Sequence, residues 1–110
     1  MQSDELVQNM LLELRRGVIA IAVLSQLGSE QYGYSLLKGL AEHGLDVDQS
    51  TLYPLLRRLE TQGLLQSEWR IADEARPLRY YVISAQGRDV LAQLKLEWSA
   101  MTATMQKMLL

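Results

Sequence analysis

Leucines recur along this chain at three- and four-residue intervals, interrupted by short stretches rich in glycine and acidic side chains. The most informative stretch is Ser50–Leu65, STLYPLLRRLETQGLL. Leu52, Leu55, Leu56 and Leu59 fall at i, i+3, i+4 and i+7, the spacing that lines one side of an α-helix and buries it. At about 100° per residue, Pro54, Arg57 and Thr61 project opposite the leucines, with Tyr53 and Arg58 on the shoulders. Thr51 is the expected N-cap, which places Pro54 in the first turn, where its missing N–H has no helical acceptor to lose. Gly63 is the expected left-handed stop.

Upstream, Asp4 to Leu27 reads as one long helix, with Leu6, Met10, Leu11 and Leu14 on a stripe before Val18, Ile21, Ala22 and Leu24 take over beyond Gly17. The second half is apolar nearly all round, as in a helix surrounded by core. The first half carries only a stripe, backed by Glu13, Arg15 and Arg16, and calls for a partner on its apolar side. Gly28 and Ser29 end this helix. Tyr32-Gly33-Tyr34-Ser35 then opens a shorter helix with Leu36, Leu37, Leu40 and Ala41 inward, closed by Gly44. Gly39 inside it costs about 1 kcal/mol relative to alanine and points to close helix packing. A turn from Leu45 to Gln49, holding Asp46 and Asp48, joins the two short helices into a helix-turn-helix.

After Gly63, Leu64–Ile71 alternates loosely and contains Trp69, and Leu78–Ile83 is rich in Tyr, Val and Ile. This pattern predicts a β-hairpin whose loop carries Asp73, Glu74 and Arg76, with Arg70 and Arg79 on the flanking strands. A helix-turn-helix followed by such a hairpin is a winged helix. Ser84 caps a final helix on which Leu91, Leu94, Trp98, Met101, Met105 and Met108 follow one another at intervals of three and four, an a/d seam. Under three heptads make no stable coiled coil alone, so a second subunit is expected to cover the seam. In the resulting twofold dimer Leu6, Met10 and Leu14 of the first helix join it. The fold class is thus mainly α with a β-hairpin: a winged helix-turn-helix with long N-terminal and C-terminal dimerisation helices. It is read as a single domain over 1–110, divided at 1–28, 29–87 and 88–110.

Composition narrows the chemistry. One domain fits 110 residues, and the absence of cysteine removes disulfides, thiolate metal sites and cysteine nucleophiles together. The longest apolar run, Val18–Leu24, has seven residues against the roughly 20 that a membrane-spanning helix needs. With no signal peptide in view, a cytoplasmic protein without membrane contact is expected. His43 is the sole histidine, and neither a catalytic triad nor a phosphate-cradling glycine loop is present. No metal, no cofactor and no enzymatic activity are expected. The net charge of −2 speaks against a polyanion partner, but its distribution does not. Residues 1–49 hold three basic and seven acidic side chains, residues 50–88 six basic and four acidic.

The segments YGYSLLKGL at Tyr32–Leu40, STLYPLLRRLETQGLL at Ser50–Leu65 and RPLRYYVISAQGRDVL at Arg76–Leu91 resemble the PadR (phenolic-acid-response) winged-helix transcriptional regulators, in particular the small subgroup with one C-terminal dimerisation helix. The resemblance spans nearly the whole chain. It departs from the family pattern in the wing, where Asp73 and Glu74 precede Arg76 and Leu78 stands at a position that is often basic. What it implies is a dimeric, repressor-type protein that binds double-stranded DNA at a pseudo-palindromic operator. The 51–62 helix would enter the major groove and the wing would touch the backbone or minor groove.

On this reading the groove-facing residues are Gln49, Ser50, Thr51, Tyr53, Pro54, Arg57 and Arg58. Tyr34, Ser35 and Lys38 are expected to position a phosphate, with Tyr32 either beside them or in the core. Arg76, Arg79 and Tyr80 are the expected wing contacts; Tyr80 and Tyr81 point to opposite faces of their strand, so one of them belongs to the core. Some relatives bind flat aromatic compounds between tryptophans at the dimer centre. Trp98 with Met101, Met10 and Leu14 either forms such an effector site for a small aromatic ligand or simply fills the interface. The rival function is a winged-helix protein-interaction module that does not bind DNA.

Overall fold

The computed structural model describes residues 2–71 and 76–110; Asp73 and Glu74 of the expected wing loop lie outside the described residues. The elements run α1 (Ser3–Gln26), β1 (Gln31–Tyr32), α2 (Gly33–Glu42), α3 (Gln49–Thr61), β2 (Leu65–Arg70), β3 (Leu78–Ile83) and α4 (Ala85–Leu109). One core holds Ile19, Val23, Leu24 and Leu27 of α1 and its C-cap, Leu36 and Leu40 of α2, and Leu65, Tyr81 and Ile83 of the sheet. All four stripe leucines of α3 are buried in it. Burial of each leucine side chain contributes about 1.5–3 kcal/mol, so this stripe sets the rotation of α3 about its axis. Gly44 and Gly63 take positive φ, +94° and +83°, and end α2 and α3 where the sequence places the stops.

The structure departs from the sequence reading at several points. Beyond the hairpin, Gln31–Tyr32 pairs antiparallel with Tyr80–Tyr81, giving a three-stranded sheet in the order β1-β3-β2. Two residues are too short for any periodicity to reveal. Thr51 is not the N-cap of α3: Asp48 occupies that position, its carbonyl accepting from Thr51 N and Leu52 N at 3.1 and 2.9 Å, without a side-chain cap. Pro54 therefore lies in the second turn, where its missing N–H leaves the Ser50 carbonyl without a helical donor. Gly39 is not a close-packing site, since a Cβ there would meet nothing within 4 Å. Ala41 is exposed rather than inward. Leu91 and Leu94, expected on the intersubunit seam, pack half-buried against the core of their own chain.

Ser84 closes the domain. Its N–H donates to Leu64 O (3.0 Å), its hydroxyl donates to Gly63 O (2.7 Å), and the same oxygen accepts from Gly87 N (2.9 Å) as the expected cap of α4. The end of α3, the sheet and the start of α4 are thereby joined at one residue. A Cβ on Gly87 would lie 2.2 Å from Leu64 O, a backbone atom that cannot step aside.

Two glycine substitutions should consequently act in opposite directions. Gly87→Ala is expected to destabilise the fold by about 1–3 kcal/mol through overpacking. Gly39→Ala should stabilise it by about 0.5–1 kcal/mol through helix propensity alone. Urea midpoints at unchanged slope measure both.

Candidate nucleic-acid interface

With its leucines buried, α3 turns a continuous polar ridge outward. Ser50, Pro54, Arg57 and Arg58 are exposed along it, and Tyr53 is half-buried on the flank nearer the wing. Thr51 lies on the other flank, in a recess shared with Arg15, Asp46 and Asp48, where the Arg15 guanidinium donates to the Asp46 carbonyl. On the wing side a cleft of about 780 Å³ separates α3 from the sheet. Of the residues singled out from the sequence, Tyr34, Gln49, Tyr53, Arg57, Arg76 and Arg79 all line it.

Local geometry explains the cleft. Gly33 opens α2 because a Cβ there would sit 2.1 Å from Cε1 of Tyr53. The glycine lets the tyrosine ring lie against the start of α2, where it lines the cleft. Strand register supplies the opposite wall: Trp69 pairs with Arg79 and Ser67 with Tyr81, so all four share one face of the sheet. Tyr81 is the core member of the tyrosine pair; burial pushes its phenol above the usual tyrosine pKa, with Arg79 and Arg57 acting in the opposite sense.

Three of the expected contact residues have partners within the chain. Arg79 is not a free wing cation: Nη2 donates to Glu60 Oε1 at 2.7 Å, Nε donates to Ser67 Oγ at 2.9 Å, and the guanidinium lies between the Trp69 and Tyr81 rings at 5.6 and 5.5 Å from their centroids. Tyr80 faces away from the cleft, edge-on to Tyr32 at 5.6 Å, with Arg70 4.8 Å over its ring. Arg70 is itself paired with Glu30 and Glu68. Ser35 spends its hydroxyl proton on the Tyr32 carbonyl at 2.9 Å, fixing the first turn of α2. Lys38 is exposed but is not among the residues lining the cleft.

Sequence reasoning missed Trp69, which is 64% exposed on the cleft wall, and Glu60, whose carboxylate reaches across to the wing. The alternation that places Trp69 beside Arg79 was present in the two strands; their pairing register was not. Among the described residues no group of acidic, histidine or cysteine side chains is arranged to hold a metal ion, and no helix is long and apolar enough to cross a membrane.

Comparison with known proteins agrees with this architecture. The model of the PadR-like transcriptional regulator family matches residues 21–93. The transcriptional regulator Rv3488 of Mycobacterium tuberculosis is 38% identical over 82 residues, covering 74% of this chain and 76% of that protein. A crystal structure of a PadR family transcriptional regulator from Eggerthella lenta superposes with a TM-score of 0.88 at 45% identity, over 96% of this chain and 94% of that one. A PadR-like regulator from Bacillus cereus gives 0.77 at 27% identity, over 88% and 96%. A winged helix carrying these motifs in this order, matched along most of its length, is a transcriptional regulator and not an enzyme: the chain belongs to the PadR-like family.

Proposed function

We propose that this protein is a homodimeric repressor that binds a pseudo-palindromic operator, laying α3 in the major groove of each half-site. The observation that carries the reading is the outward ridge of α3, with Ser50, Pro54 and Arg57 exposed and Tyr53 half-buried on its flank, next to a cleft lined by Arg57 and Arg76. A helix of about 10–12 Å diameter fits a groove about 12 Å wide. Gln49 and Ser50, in the first turn, supply an amide and a hydroxyl to phosphates or base edges, and Arg57, two turns on, supplies a planar guanidinium. Lys38, Thr51 and Arg58 flank this set, and Arg76 reaches the backbone from the wing. No observation favours the rival reading of a non-DNA adaptor.

Dimerisation is supported by the two ends of the chain. Leu6, Met10 (63% exposed) and Leu14 (68%) on α1, and Trp98 (44%), Met101 (53%), Met105 and Met108 on α4, present apolar side chains to water. The radius of gyration, 16.1 Å, exceeds the roughly 13 Å of a compact chain this long, because these helices extend beyond the core. A second copy covering both faces removes that exposure and pairs two reading helices. In the dimer Trp98, Met101, Met10 and Leu14 form an adaptable aromatic wall suited to a planar aromatic effector that releases the operator.

Titration against a duplex spanning the protein's own promoter at two salt concentrations tests the DNA reading. Arg57→Ala is expected to weaken binding by about 1–3 kcal/mol while dimer and fold persist. Absence of wild-type binding at both salts, with the dimer intact, sinks the proposal. Met101→Glu should yield monomers in sedimentation. In a Trp69→Phe background, planar aromatics should quench Trp98 emission in the dimer and fail to do so in that monomer; emission unchanged across a diverse set argues for a plain packing role.

A further inference from the structure

On the cleft face of the wing Arg79 is held within the chain at both Nε and Nη2. Glu60 sits in the last turn of α3, and its two carboxylate oxygens are divided between the strands: Oε1 accepts from Arg79 on β3, Oε2 accepts from Ser67 Oγ on β2 at 2.6 Å. Arg79 Nε returns to that same Ser67 oxygen, closing a three-residue ring. The ring is half-buried, so solvent screens it less than a surface pair, and its charged hydrogen bonds are of the stronger kind. The guanidinium also lies 5.6 Å from the centroid of the Trp69 ring and 5.5 Å from that of Tyr81. A force on the end of α3 is thereby passed to a tryptophan on the wall of the proposed DNA-facing cleft.

We infer that Glu60 and Arg79 act as positioning residues that lock the wing to the reading helix and aim Trp69 at the DNA, and that Trp69, not Arg79, is the contact made by the paired wing strands. This rests on the DNA-binding reading above. Trp69 is 64% exposed although it lies on the inward-facing side of the sheet, next to the buried Tyr81, so its ring emerges where the core ends and the cleft begins. An indole edge there suits sugar and thymine-methyl contacts, which are apolar and contribute no counterion release. Glu60 has a consequence that simple electrostatics reverses. Removing a carboxylate from the face that meets a polyanion should ordinarily tighten binding. Here it frees Arg79 and lets the wing drift from α3, so binding weakens.

The full-length dimer and the promoter duplex provide the test. Glu60→Gln and Arg79→Gln are each expected to weaken binding by about fivefold to tenfold, and the double variant no further than either alone, since they break one linkage. The slope of log K against log salt should stay at the wild-type value in both, and in Trp69→Ala, whereas loss of a true phosphate contact lowers its magnitude by about 0.9. Tighter binding by Glu60→Gln, or a reduced slope in Arg79→Gln, overturns the assignment. A DNA-free measurement separates this inference from the reading beneath it: in a Trp98→Phe background, Trp69 emission should shift in both Glu60→Gln and Arg79→Gln. Unchanged emission disproves the linkage even where DNA binding is intact. If wild type binds no duplex, the DNA reading and the contact given to Trp69 fall together, while the emission shift still reports whether Glu60 and Arg79 hold the ring.

Discussion

Burial of Leu52, Leu55, Leu56 and Leu59 is the constraint on which the rest of the structure depends. Four leucines on one side of a 13-residue helix leave α3 a single favourable rotation, and that rotation decides which side chains meet solvent. Losing one of them would cost about 2–5 kcal/mol, a large share of what holds a domain of this size together. The direction in which the polar ridge faces is therefore set by the core behind it. Gly63 and Gly44 sharpen the arrangement by ending α3 and α2 where the core ends.

A second level of organisation ties the sheet to this helix. Ser84 holds the junction of α3, β3 and α4 through three short backbone-directed bonds, and the Glu60–Ser67–Arg79 ring repeats the connection further out along the wing. Between these two ties lies Tyr81, buried at the floor of the cleft. Two strands anchored at both positions cannot twist independently of α3. In this acidic chain the carboxylates near the cleft are engaged by other arginines than Arg57 and Arg76: Glu60 pairs with Arg79, and Glu30 and Glu68 pair with Arg70 on the opposite face.

The two long helices obey a different logic. α1 is core from Ile19 to its C-cap and exposed apolar surface before that, while α4 is core at Leu91 and Leu94 and exposed apolar surface from Trp98 onward. Each begins or ends as part of the domain and continues as an arm. The heptad spacing on α4 is uninterrupted across this change, so periodicity marked the apolar line without marking where one chain's core gives way to the surface proposed for its mate.

The sequence by itself determined the helices, their stops at Gly44 and Gly63, the cap at Ser84 and the buried stripe of α3, because each follows from interactions within a few residues: 3.6-residue periodicity, glycine's access to positive φ, a hydroxyl within reach of an amide. It also carried the family motifs in order. Only the tertiary structure decided which polar side chains remained free. Arg79 and Tyr80 look alike as wing residues in one strand, yet alternation and register send the first to Glu60 and the second to Tyr32 on the far face. Gly33 reads only as part of the segment that opens the second helix until the ring of Tyr53 is seen to need its missing Cβ. Trp69 and Glu60 acquire meaning from partners 10 and 19 residues away, a separation no local pattern encodes. Contacts of that kind depend on how strands and helices meet in space, and only the folded chain sets that.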